Sequence, residues 1–245
     1  MLLTSIGLIT FSSAVGAALP EFISQINLSE IKHQLIHAFT NGMLLGMALL
    51  FFMPEVAERA SDSPLLLGLL GLSMLCTKLL SSSPDEETRK LSVTSLLYGS
   101  LSIHNLIECM LLGYYINEPA GFAWLIAIVV HKWSETCCIN IRLNEHEYAP
   151  KTRFWLLTVF MSVSIVAIYL GHALYHLNQN LAIINDYALV ALIITTGYLI
   201  ESSLHVECHG AACEPDTSEH NRQILFMIIG LLCFIMINSI VKYSY

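Results

Sequence analysis

The sequence predicts an all-α, polytopic membrane protein of eight helices that forms one transmembrane domain over residues 1–245. Three observations carry this expectation. Hydrophobic residues make up 55% of the 245 and charged residues only 12%, about half the charged share of a soluble domain. Mean hydropathy is +0.65. The apolar residues are gathered into eight runs, several as long as the roughly 17–25 residues that cross a bilayer. A formal charge of −8 argues against a nucleic-acid partner, which would demand a basic face. Too little polar sequence lies between the runs for a separate soluble catalytic domain.

The first run covers about residues 2–23. No Lys or Arg precedes Lys32, so the cationic start of a secretory signal is absent and the run is expected to be retained. The second, at about 35–53, carries Gly42 and Gly46 as a small-xxx-small pair for close helix approach. The third, at about 64–80, begins on Pro64, which suits a first helical turn. The fourth and fifth, at about 91–116 and 121–141, are joined by a turn at Asn117, Glu118 and Pro119. So short a link dictates an antiparallel hairpin. The sixth, seventh and eighth cover about 154–174, 182–204 and 224–241. The stretches from Ser81 to Glu87 and from Glu214 to Glu219 are polar connectors. Seven cysteines, an odd number lying mostly inside apolar runs, argue against a disulfide scaffold.

The cations give an orientation. Lys32, Lys78, Arg89, Lys90, Arg142, Lys151, Arg153 and Arg222 fall on one side of the eight runs, and Arg59 and Lys242 on the other. The richer side is the cytoplasmic one. Both termini are therefore expected outside the cytoplasm, in a multi-pass protein of the cell membrane.

Two runs carry ionisable residues at mid-depth. His104 and Glu108 are four apart in the fourth run, with Asn105 beside them, and His131 and Glu135 repeat the spacing in the fifth. Residues four apart share a helix face about 6 Å apart along the axis. The tight hairpin lets the two pairs meet. Two imidazoles and two carboxylates form a nitrogen and oxygen donor set suited to a borderline divalent ion such as Zn²⁺. A carboxylate in hydrocarbon needs such a partner. A single His-xxx-Glu pair could be an internal hydrogen bond, and a lone intramembrane His a packing residue; two pairs at matched depth favour a metal site.

Glu201 lies in the seventh run, followed by His205 and Glu207, and then by a loop with Cys208, His209, Cys213 and His220. That loop is open to three interpretations, a structural zinc site, a loose metal-holding segment or incidental polar residues. His172 and His176 are a further i, i+4 pair near the end of the sixth run, as entrance ligands or as interfacial or packing residues, and His33 and His37 flank the start of the second run as an interfacial helix start. Lys132 falls inside the fifth run. It could fill the space beside the four ligands, pair with Glu201, or face away, since i+1 lies about 100° round the helix.

These residues make the chain similar to the ZIP family of divalent metal transporters. His104-Asn105-x-x-Glu108 resembles the family's fourth-helix signature and His131-Lys132-x-x-Glu135 its fifth. Asn41-Gly42-x-x-Leu45-Gly46 through Met53-Pro54-Glu55 resembles its second helix, and Leu204-His205-Val206-Glu207 a degenerate copy of a similar ending. The sequence departs from the family pattern at Cys109 and Thr136, where glycines are expected, at Ser134 in place of proline, and at Phe51 or Phe52 in place of histidine. It also lacks a long His-rich loop and places Lys132 where some members have an acidic ligand.

The resemblance implies an eight-helix bundle and a transport site from His104, Glu108, His131 and Glu135. It implies that Asn105 borders a second metal position, import toward the cytoplasm, a homodimer, and alternating access by sliding one helix group against another. Glu201 joins the expected metal-site residues. The cargo is expected to be Zn²⁺, with Fe²⁺, Mn²⁺ or Cd²⁺ as further candidates. An enzyme is not expected, because no nucleophile, base and orienting group share a face. The competing classes are a membrane zinc metalloenzyme and a non-transporting metal sensor; metal-dependent uptake into liposomes separates them from a carrier.

Overall fold

In a bilayer every backbone polar group must be satisfied within its own segment, which leaves helices as the economical solution for apolar runs of this length. A computed structural model describes residues 1–25, 30–60, 64–81, 86–177, 182–204 and 217–243. The expectations for His205, Glu207, Cys208, His209 and Cys213 lie outside these residues. Those for His33, His37 and His220 lie outside the described side chains.

The helices are α1 (Leu2–Gln25), α2 (Glu30–Met47), α3 (Met53–Ala60), α4 (Pro64–Ser81), α5 (Glu86–Tyr115), α6 (Pro119–Glu145), α7 (Pro150–His176), α8 (Ala182–Leu204) and α9 (Thr217–Tyr243). A π-helical turn, Ala48–Phe52, joins α2 to α3 without a break. The apolar runs coincide with these helices and the π-helical turn, the fourth ending one residue beyond α5 at Ile116, and most helices continue past their run because polar residues at the ends keep the same backbone bonding. The second run differs most, reaching Ala60 through Pro54. Proline has no N–H and crowds the carbonyl four residues back. The chain accommodates it by widening, so that the Met53 N–H reaches the Ala48 carbonyl five residues back.

Three described stretches are long and apolar enough to cross a membrane: Leu2–Phe22, Thr94–Tyr115 and Pro150–His176. Ala38–Leu50, Leu65–Leu79, Leu189–Leu204 and Asn221–Met236 are apolar but shorter. In α6 the buried Lys132, Glu135 and Arg142 interrupt the apolar sequence. The protein is all-α and multi-helical, with three candidate membrane-spanning helices among the described residues.

Four helix pairs pack most intimately: α1 with α6, α2 with α9, α4 with α8, and α5 with α7. In the α5–α7 pair a Cβ at Gly113 would collide with the Ile168 carbonyl, and one at Gly171 with the Met110 carbonyl. These two glycines let the backbones touch. Polar bonds supply the rest of the adhesion. Tyr98 Oη donates to the Leu156 carbonyl at 2.9 Å. Ser12 Oγ donates to the Val129 carbonyl at 2.7 Å, and Asn140 Nδ2 to the Ala17 carbonyl at 2.8 Å.

The pairs assemble into two groups. One contains α1, α5, α6 and α7; the other contains α2, α3, α4, α8 and α9. Met43, Met47, Phe52, Leu101, Phe160 and Leu199 belong to one buried cluster built from both groups.

The α5–α6 link is the hairpin expected from its sequence. Glu118 N–H donates to the Tyr115 carbonyl at 2.9 Å, and Pro119 opens α6 in the first turn. Gly121 sits against the Tyr115 carbonyl where no Cβ fits. None of the five described cysteines, Cys76, Cys109, Cys137, Cys138 and Cys233, is in a disulfide.

Candidate metal centre

His104 stands eleven residues before Tyr115, the end of α5, and His131 twelve after Pro119, the start of α6. At 1.5 Å per residue both lie about 17 Å from the turn, so the hairpin sets them side by side. Glu108 and Glu135 follow one turn along each helix. His104, Glu108, His131 and Glu135 are all buried, each 6% exposed or less. Each offers one ligand atom, and the four atoms lie within 4.8 Å of one another.

His131 Nε2 is 2.9 Å from Glu108 Oε1 and 3.6 Å from Glu135 Oε1. His104 Nε2 is 3.5 Å from Glu135 Oε1 and 3.5 Å from Glu108 Oε2. Ligands about 2.0–2.1 Å from a tetrahedral Zn²⁺ stand roughly 3.3 Å apart, inside the range found. His104 Nε2 and Glu135 Oε1 are buried and make no hydrogen bond among the described residues. Buried donors and acceptors in that condition are costly unless a partner arrives. The donor set fits a divalent ion.

Lys132 is fully buried and belongs to this centre. Its Nζ lies 2.6 Å from Glu135 Oε2 and 3.4 Å from Glu108 Oε2, and 5.6 Å above the Phe160 ring of α7. It therefore neither faces away nor pairs with Glu201. With neutral imidazoles, two carboxylates and one ammonium leave the centre at −1, which still favours a dication.

Glu201 is not in the four-residue group. Its Oε1 lies 3.5 Å from Lys78 Nζ, where α4 and α8 end together and Lys78 is 54% exposed. A wetter helix end with its own cation accounts for this carboxylate without a metal. Asn105 is buried beside the centre, but its amide is engaged elsewhere. Nδ2 donates to the Phe160 carbonyl at 2.9 Å. Oδ1 accepts from Ser164 Oγ at 2.7 Å and from Cys109 Sγ at 3.2 Å. The amide ties α5 to α7 and holds the His104 turn in place.

The departures at Ser134 and Thr136 are absorbed within α6, where each hydroxyl donates back to a carbonyl of its own helix, His131 at 2.7 Å and Lys132 at 3.0 Å. Phe52, in the π-helical turn, packs on His104 with ring centroids 4.4 Å apart. The other helix group thus closes one side of the centre. His172 and His176 pair with each other at the end of α7, Nε2 to Nε2 3.2 Å, outside the four-residue group. Phe160 and Ser164 are the supporting residues that sequence reasoning missed; nothing in the α7 sequence signals contact with a site on α5 and α6.

No protein-family model and no curated protein matches the chain.

Proposed function

We propose that this chain is a ZIP-like carrier that moves a divalent metal ion, Zn²⁺ first, across a membrane into the cytoplasm. One observation carries the reading: a buried His104, Glu108, His131 and Glu135 centre at the seam of two helices, amid apolar helices. Ionisable groups at such a position mark a pathway for ions. Fe²⁺, Mn²⁺ and Cd²⁺ are further cargo candidates, because nitrogen and oxygen donors accept them as well.

The division into two helix groups supports alternating access. His104, Glu108, His131 and Glu135 ride on one group, and Phe52, which covers His104, belongs to the other. A slide of one group past the other would uncover the ion on one side and then the other. The carboxylates attract the dication, and the imidazoles bind it without adding charge. Both termini lie outside the cytoplasm in this reading, and the carrier works as a homodimer, as the family resemblance implies.

A catalytic zinc site keeps an open position beside a base. Here all four ligand groups come from protein, and the adjacent ammonium is held by two carboxylates. That balance supports a carrier over an enzyme. The test is Zn²⁺ uptake into liposomes containing the purified protein. Uptake should saturate and should fall to background in His131→Ala, with the variant still in the membrane. Normal saturable uptake by His131→Ala would overturn the assignment, and zinc binding without flux in the unmodified protein would make it a sensor.

A further inference from the structure

The two carboxylates of the centre divide their oxygens. Oε1 of Glu108 and Oε1 of Glu135 face His131, at 2.9 and 3.6 Å. Oε2 of both faces Lys132, at 3.4 and 2.6 Å, and that of Glu108 is shared with His104 Nε2 at 3.5 Å. The ammonium sits between the second oxygens as a bridging cation would, and its own surroundings are closed by the Phe160 ring.

From this division we infer that Lys132 is a specificity-determining residue: a tethered cation that keeps the centre mononuclear, holds both carboxylates monodentate, and thereby selects a four-coordinate ion. The inference rests on the metal-centre reading above and deepens it. A second dication bridging Glu108 and Glu135 would have to occupy the volume of Nζ. A single ion cannot draw both oxygens of either carboxylate without stripping Lys132 of a partner in a dry interior. The ion is left with two imidazole nitrogens and two carboxylate oxygens. Zn²⁺ is content with four such ligands in a tetrahedron, whereas Mn²⁺ sites are typically octahedral and oxygen-rich. Asn105 cannot make up the number, because Nδ2 and Oδ1 are both engaged with α7.

The same geometry serves release. Without Lys132 the two carboxylates alone would cancel a dication; with it, the bound centre carries a surplus positive charge. A carrier site must hold its ion firmly enough to load and loosely enough to discharge. The ammonium also gives the carboxylates a partner after the ion has left.

The experiment uses the purified full chain in nanodiscs with zinc alone and manganese alone as probes. X-ray absorption at the zinc edge reads coordination number and any metal–metal scattering. Equilibrium competition reads the Zn²⁺/Mn²⁺ affinity ratio. The unmodified protein should show four nitrogen or oxygen neighbours and no metal–metal vector near the roughly 3.5–4 Å of two-metal sites. Lys132→Ala should narrow the Zn²⁺/Mn²⁺ ratio at least tenfold, through a second ion or a bidentate carboxylate, while Lys132→Arg, which keeps a cation, should hold the unmodified ratio more closely. A metal–metal vector in the unmodified protein overturns the inference, as does an unchanged ratio and coordination in Lys132→Ala. If Lys132→Ala does not fold, the unmodified spectrum decides alone. His131→Ala separates the two readings, since retention of the ion there sinks the centre itself, while two ions lost together in His131→Ala leave the centre standing and remove only the role given to Lys132.

Discussion

Replacing Lys132 with Met should destabilise the ion-free protein, and in the zinc-loaded protein that penalty should vanish or reverse. Lys132 Nζ lies 2.6 Å from Glu135 and 3.4 Å from Glu108, with all three side chains almost fully buried. Removing one partner of a buried ion pair costs about 3–5 kcal/mol, because the remaining charge is left uncompensated. In a chain of this size each kcal/mol lowers Tm by about 2–4 °C. The variant should therefore melt about 6–20 °C below the unmodified protein in chelator. With the ion bound, the balance changes sign. Two unit charges about 4 Å apart at an effective dielectric of 20 repel by about 4 kcal/mol, and a dication doubles this. Loss of that repulsion, about 8 kcal/mol, equals or exceeds the lost pair, while the roughly 4 kcal/mol that zinc adds at a thousand times Kd is common to both proteins. Thermal melting of both proteins in chelator and in saturating Zn²⁺ measures the two gaps. A gap of equal size in both conditions, or none in chelator, would refute the electrostatic account of Lys132.

Three further outcomes are expected. Asn105→Ala should lose about 1–3 kcal/mol, since the Phe160 carbonyl and the Ser164 hydroxyl lose their partner, yet keep its bound zinc by metal analysis; normal stability with zinc lost would make Asn105 a ligand. Gly113→Val should fail to give folded protein on size-exclusion chromatography, because its Cβ collides with the Ile168 carbonyl, while Gly68→Ala, with nothing within 4 Å of the new Cβ, should be neutral or stabilising by up to about 1 kcal/mol. Single cysteines at Ser82 and Ser244, in a background without reactive native thiols, should be spared and labelled respectively by an impermeant thiol reagent on intact cells, and the reverse pattern would invert the orientation drawn from the cations.

The parts of the centre that were legible in the sequence are those set by one helix and one turn. The i, i+4 spacing puts His104 with Glu108 and His131 with Glu135 whatever else the chain does, and a three-residue link with Pro119 leaves α6 no course but back along α5. What was not legible depends on a third element. Whether Lys132 faces the ligands or turns from them is decided by α7, whose Phe160 ring closes the space behind the ammonium. Asn105 resembled a ligand from its place beside His104, but Ser164 and the Phe160 carbonyl, more than fifty residues on, had the stronger claim on its amide. Glu201 shares an apolar run with no cation of its own, and only the neighbouring end of α4 brings Lys78 to it and makes it part of a helix end. The π-helical turn was hidden for a related reason, since an apolar run through Phe52 has no polar mark to show where the backbone widens ahead of Pro54. In each case the donor set came from local periodicity, and the charge and denticity of the site came from a neighbour. Selectivity in this centre therefore rests less on the four ligands, which many ions would accept, than on the residues that occupy the carboxylates' other oxygens.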